Sequence, residues 1–124
     1  MNKRSEEVSI ASVSNADVKT ARVTPYIKAD KVNRFHAIGQ ITAAESGKYT
    51  QVRFLQATDS SGTGAKLAGT ATQTVDAREV QADLYADDLD SANGFIWVAA
   101  EVITNNSSAT PGSATLMGDQ RRYN

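Results

Sequence analysis

At 124 residues the chain is sized for one domain with a single hydrophobic core. It has no cysteine, which excludes disulfides, thiolate nucleophiles and cysteine metal sites together. No apolar run is long enough to cross a bilayer, and a net charge of −1 speaks against a dedicated nucleic-acid binder. The apolar fraction of 40% leans on alanine and aromatics make only 6%, so a thin core is expected, helped by contacts with other subunits. Met1-Asn2-Lys3-Arg4 is charged but lacks the apolar stretch of a secretory signal, so the protein is expected to stay in the compartment where it is made. Charge is unevenly spread: residues 1–40 carry seven Lys/Arg against four Asp/Glu, whereas residues 76–124 carry three against eight. A basic front and an acidic back suit head-to-tail contact with copies of the same chain or with a charged scaffold, although scattered surface charge gives the same count.

Residues 1 to about 16 are polar, with Val8, Ile10 and Val13 as the only apolar anchors. Alternation from Val8 suits a strand added to a sheet edge, and the segment is expected to be an arm that orders on a partner. Residues 17–124 are expected to form one β domain. A short strand pattern runs from Lys19 to Val23, and Thr24-Pro25 then forces an extended or turning path. Asn33–Thr42 is the next strand, with Phe35, Ala37 and Gly39 on one face and His36, Ile38 and Gln40 on the other. Gly39 marks a bulge or a close backbone approach. Tyr49–Ala57 follows, rich in β-formers, and runs into the turn cluster Asp59-Ser60-Ser61-Gly62-Thr63-Gly64. The chain is expected to be organised around this strand and turn.

The small, polar stretch from Ala65 to Thr74 reads as a short edge strand or a loop. Arg78–Leu84 alternates, with Val80, Ala82 and Leu84 inward, and helix is expected only around Tyr85–Leu89. Asn93-Gly94 signals a turn. Phe95–Thr104 is the most hydrophobic run and the expected central strand, with Val98, Ala100 and Val102 in the core and Phe95 and Trp97 on the opposite face. Ser113–Met117 closes as a short strand before a tail. Short strands at roughly 8–12-residue spacing with turns between them predict an all-β fold, an antiparallel β-sandwich or a jelly-roll-like barrel with an extended N-terminal arm.

Side chains suited to chemistry are sparse. His36 is the only histidine, and one imidazole with no cysteine cannot complete a zinc site; a structural role is expected. Asp87, Asp88 and Asp90 lack the spacing of an EF-hand loop and read as a solvated turn or helix start. Gly62-Thr63-Gly64-Ala65-Lys66 lacks the spacing of a phosphate-binding loop. No catalytic residue, metal ligand or cofactor site is expected. The candidates for partner contact are Val8, Ile10, Val13, Phe95 and Trp97, and Trp97 suits a covered position and a contact anchor equally. Arg121-Arg122-Tyr123 suits a frayed end better than an acidic partner.

The run from Val52 to Lys66, VRFLQATDSSGTGAK, resembles the "QATD-x-x-GTGAK" segment of small virion proteins of tailed bacteriophages. Ala86-Asp87-Asp88-Leu89-Asp90 followed by Asn93-Gly94-Phe95, and the ending Leu116-Met117-Gly118-Asp119-Gln120-Arg121-Arg122-Tyr123, are similar to the same proteins. The resemblance covers residue 18 onward and consists of turn and strand signatures. It implies a β-rich, non-enzymatic minor capsid or head decoration protein. Its partners would be the major capsid protein and copies of itself, a trimer foremost, with no specific nucleic acid and no membrane. It would be made in the bacterial host cytoplasm and reside in the virion, on the capsid surface. The longer charged N-terminus departs from that pattern. The alternatives are a neck or tail component and, from another class, a β-sandwich carbohydrate-binding module.

Overall fold

The structure is a computed structural model and describes residues 8–30 and 32–120. Among the described residues there are nine strands: β1 (Val8–Asn15), β2 (Arg22–Val23), β3 (Ile27–Lys28), β4 (Val32–Ile41), β5 (Tyr49–Ala57), β6 (Lys66–Val75), β7 (Glu79–Tyr85), β8 (Trp97–Thr104) and β9 (Gly112–Gln120). All pair antiparallel, in two sheets packed face to face. The first sheet has the order β1-β9-β4-β7; the second has β2-β8-β5-β6, with β3 also on β8. No barrel closes.

The pairing follows one rule. β5 pairs with β6, β4 with β7, β2 and β3 with β8, and β1 with β9, so each pair nests outside the last around the Asp59–Gly64 turn. The chain is one long hairpin rolled up, and the β4–β9 and β5–β8 ladders stitch the roll. That is the strand order of a jelly roll.

Alternation decides what each strand buries. Phe35, Ala37, Gly39 and Ile41 of β4 face inward against Val52 and Phe54 of β5, Val80 and Leu84 of β7, and Val98, Ala100 and Val102 of β8. Leu116 completes the main core, while Val18, Ile41, Val102 and Ala114 form a smaller cluster at one end. Phe35, Phe54 and Leu116 are the largest fully buried side chains, and Leu84, Leu89 and Ile41 join valine and alanine in filling the rest.

Where sequence and structure differ, pairing has overridden local pattern. Residues 1–7 of the expected arm lie outside the described residues. Residues 8–15 find their partner inside the chain: β1 pairs with β9 from Val8–Asp119 to Asn15–Gly112. The anchors Val13 and Ile10 lie on opposite faces, because odd positions face the core and even ones face out; Val13 packs on the smaller cluster and Ile10 stays 66% exposed. Ala65–Thr74, short and polar in outlook, is most of the ten-residue β6, held by its ladder to β5 across a bulge between Val52 and Phe54. β9 extends to Gln120 through the expected tail, because it lies between β1 and β4 and is paired on both edges. β8 starts at Trp97, which leaves Phe95 in the preceding loop. The helical content among the described residues is two short 3-10 turns, Ala86–Asp88 and Ser91–Asn93. Arg121, Arg122 and Tyr123 lie outside the described residues.

Candidate interface

The segment that carries the family resemblance is one hydrogen-bonded unit. Gln56 is a buried amide at the end of the inward row Val52-Phe54-Gln56. Its Nε2 donates to the Leu67 carbonyl (3.0 Å), and its Oε1 accepts from the Asp90 amide (2.8 Å). One side chain thus holds β5, β6 and the β7–β8 connection together. Beyond it, the Asp59 carboxylate accepts from the amides of Ser61 (2.9 Å) and Thr63 (3.1 Å) and from the Thr63 hydroxyl (2.6 Å). These donors, the Thr63 hydroxyl foremost, hold its carboxyl below the usual carboxylate range. Gly62 sits at φ +85° against Tyr26, where a Cβ would come within 3.0 Å of the ring, so both the angle and the space require glycine. Lys66 Nζ pairs with Asp90 (2.6 Å) and lies 4.1 Å from the centre of the Phe95 ring. Asn93 Nδ2 donates to both oxygens of Asp90 (2.9 and 3.1 Å). Lys66 first, then Asn93, holds the Asp90 carboxyl down.

Phe95 is therefore engaged inside the molecule, under the Lys66 ammonium. Of the three aspartates, Asp90 is tied into this unit, while Asp87 and Asp88 stand exposed in a 3-10 turn. Among the described residues no group of three His, Asp or Glu side chains could hold a metal ion. His36 lies on the outer face of the first sheet, with Nδ1 2.7 Å from Asp83 Oδ1 and Nε2 3.1 Å from Gln81 Oε1.

Trp97 projects onto the outer face of the second sheet, half-buried between its cross-strand neighbours Lys28 and Ala57. The ladders continue that face with Ala99-Leu55-Leu67 in one row, Val23-Glu101-Arg53 in the next, and Ile103-Gln51-Gln73 beyond. Leu67 is 45% exposed and Val23 is at the margin of exposure. Arg53 and Glu101 form an ion pair in the middle of the face, with Glu101 largely covered. Burial, then the Glu101 charge, pushes the Tyr26 phenol up. The face thus mixes Trp97, Leu55, Leu67, Val23 and Ile103 with Lys28, Gln51, Gln73 and a half-shielded ion pair, while Ala57 and Ala99 are fully buried.

No protein-family model matches the chain, and no curated protein matches it. Solved structures do resemble the fold. The prophage-derived protein YomS of SPBc2 is 9% identical, with 90% of this chain and 95% of that one covered and a TM-score of 0.43. The decameric BFDV capsid protein gives 9% identity over 90% and 95%, TM-score 0.46. A carbohydrate-binding module specific for non-crystalline cellulose, CBM28, gives 6% over 90% and 72%, TM-score 0.47. The shared feature is the β-sandwich.

The far end of the sandwich is closed by polar clasps. Glu45 accepts from the amides of Ser107 (2.8 Å) and Ser108 (3.2 Å), and Asp17 accepts from those of Lys19 (3.0 Å) and Thr110 (3.3 Å). Amide donors hold both carboxyls down, led by Ser107 for Glu45 and Lys19 for Asp17. A groove of about 850 Å³ opens beside this end on the first sheet, lined by Ser14, Gln40, Arg78, Glu79, Pro111 and Ser113. The expected partner residues are thus dispersed. Ile10 is on the outer face of the first sheet, Trp97 is on that of the second, and Val13 and Phe95 are engaged within the chain. Gln56, Lys66 and Asp90 stood in stretches singled out in the sequence, but the contacts that join them across the loops were not foreseen.

Proposed function

We propose that this is a structural, non-enzymatic protein of a tailed-bacteriophage particle, a minor capsid or decoration protein that lies on the major capsid protein and on copies of itself and reinforces the head. One observation carries the reading: Gln56, Asp59, Gly62, Thr63 and Lys66, the residues of the family-like segment, serve architecture. They tie the tip of the rolled hairpin to the β7–β8 connection. The outer face of the second sheet around Trp97, Leu55 and Leu67 is the surface offered to the shell.

The neck or tail reading shares this chemistry and differs in number. A shell protein is present in hundreds of copies, a neck protein in a single ring. Counting copies per purified particle by quantitative mass spectrometry separates them. Absence from the particle refutes both. Leu67→Asp tests the face: the variant is expected to fold as wild type and to lose binding to assembled heads. The carbohydrate-binding alternative predicts instead that polysaccharide pull-down is abolished by Trp97→Ala.

A further inference from the structure

The two sheets leave four strand edges: β1 and β7 on the first, the β2/β3 side and β6 on the second. A bare edge is a row of backbone donors and acceptors that templates another strand, and proteins blunt such edges with charge, proline, bulges or brevity. Three of these four are blunted. β2 and β3 are two residues each, separated by Thr24-Pro25-Tyr26 and flanked by charge at Arg22 and Lys28. β6 begins with Lys66, is bulged against β5 and bends at Gly69, φ +70°. β7 carries Glu79 and Asp83 on its outward face.

β1 has none of these devices. Val-Ser-Ile-Ala-Ser-Val-Ser-Asn holds no charge, no proline and no glycine, and its eight residues run in unbroken register with β9. From Ile10 to Ser14 no hydrogen bond is made along the side away from β9, among the described residues. Ile10, 66% exposed, stands on this strand as a large uncovered side chain.

The geometry points to β1 as the contact strand of a homodimer, in which the β1 strands of two copies pair antiparallel about a two-fold axis and join the first sheets into one continuous eight-stranded sheet. A second copy is the occupant the strand fits best. Side chains keep their faces across a two-fold axis normal to the sheet only if inward residues oppose inward ones. With the axis at Ser12, Ala11 lies opposite Val13 of the other chain, twice over, extending the inner apolar layer across the junction. On the outer face Ile10 lies opposite Ser14, where a small side chain leaves room for it. No like charges meet, because the strand has none, and each copy supplies the partner strand that the other's edge lacks. The inference stands apart from the virion reading, and it sets the oligomer order at two.

The full-length protein is expected to sediment as a concentration-dependent monomer–dimer system. Ile10→Lys with Ser12→Lys places charge on the exposed side of the edge, and it is expected to raise the dimer dissociation constant more than tenfold while the circular dichroism spectrum stays that of the wild type. Because the protein has no cysteine, Ser12→Cys gives a clean second measurement. Opposed cysteines at the axis of an antiparallel pair lie within disulfide range, so mild oxidation is expected to cross-link this variant and not Ser46→Cys, which lies exposed between β4 and β5. A wild-type chain that is monomeric at every concentration overturns the inference. So does a dimer that survives both lysines, or a Ser12→Cys chain that cross-links no better than Ser46→Cys.

Discussion

Gly112 is the tightest point in the fold. It opens β9 and is paired on both sides, with Asn15 of β1 and Ile41 of β4. A Cβ added there would lie 2.6 Å from the Gln40 carbonyl oxygen and 2.7 Å from Val18 Cγ2. The second distance is roughly 0.8 Å inside the optimum carbon–carbon separation. Neither neighbour is free to yield. Gln40 is held in the β4 ladders, and Val18 is fully buried, with its amide on Thr110 (2.8 Å) and its carbonyl on the Thr104 amide (3.0 Å). Overpacking of this kind costs about 1–3 kcal/mol, and an immovable backbone oxygen places Gly112→Ala at the upper end. Against this, alanine restricts the unfolded chain and returns about 0.4–1 kcal/mol. The net expectation is a loss of about 2 kcal/mol, or roughly 6–10 °C in melting temperature for a chain of this size. Urea melts with an unchanged slope would confirm that stability moved and not compactness. Gly47→Ala is the control. No atom lies within 4 Å of its added Cβ, so it bears only the strain of φ +75°, about 1 kcal/mol. A Gly112→Ala protein that melts within a degree of wild type, or is less affected than Gly47→Ala, would refute the close-approach argument.

Val98→Asp places a carboxylate in the main core, where Val98 is fully buried, and is expected to cost several kcal/mol and prevent a cooperative melt; thermal denaturation checks it. Gln56→Ala strands the Leu67 carbonyl and the Asp90 amide and is expected to cost about 1–3 kcal/mol in chemical denaturation, with faster amide exchange at Asp90 and Leu67. Asp17, Glu45, Asp59 and Asp90 all have carboxyls held below their ordinary values, so each contributes stability that is complete above the usual carboxylate range and lost as pH falls through the lowered folded value. Melting temperature is therefore expected to be flat from neutral pH to about 5 and to fall below about 4. In Asp59→Asn the share of that fall belonging to the turn disappears.

How much of this was legible from residues alone varies by element. β5 matched the expected Tyr49–Ala57 run, and the inward rows Phe35-Ala37-Gly39, Val80-Ala82-Leu84 and Val98-Ala100-Val102 face the core as alternation implied. Those strands carry their own apolar signal. β6 and the end of β9 do not: Lys66–Val75 buries Ala68, and Gly118 serves by being small against Phe35, where a Cβ would come within 3.1 Å. Such strands are held by ladders to neighbours distant in sequence, which no local window contains. The same holds for the candidate interface. Arg53 and Glu101 are 48 residues apart and Lys66 and Asp90 are 24 apart, so only the register brings them together. Trp97 was legible as an outward aromatic because its strand was, whereas Phe95 was misplaced by two residues of strand that the Gly94 turn takes away.

The nesting of the strand pairs also bears on how the chain comes to be folded. The β5–β6 hairpin closes across the eight-residue Thr58–Ala65 connection, and each outer pair closes cheaply only once the pair inside it has formed, because the inner pair shortens the free loop. Zipping outward from Asp59–Gly64 is therefore the fast route, and β1–β9 closes last. A ribosome delivers these strands in an awkward order: β1 emerges first, and the strand that completes it emerges last. Throughout synthesis an uncharged, proline-free strand waits unpaired, free to meet the same strand on a neighbouring nascent chain. Folding yield is then expected to depend on how crowded the translating polysomes are, and slowed elongation between β1 and β5 is expected to lower it without any change in the stability of the finished protein.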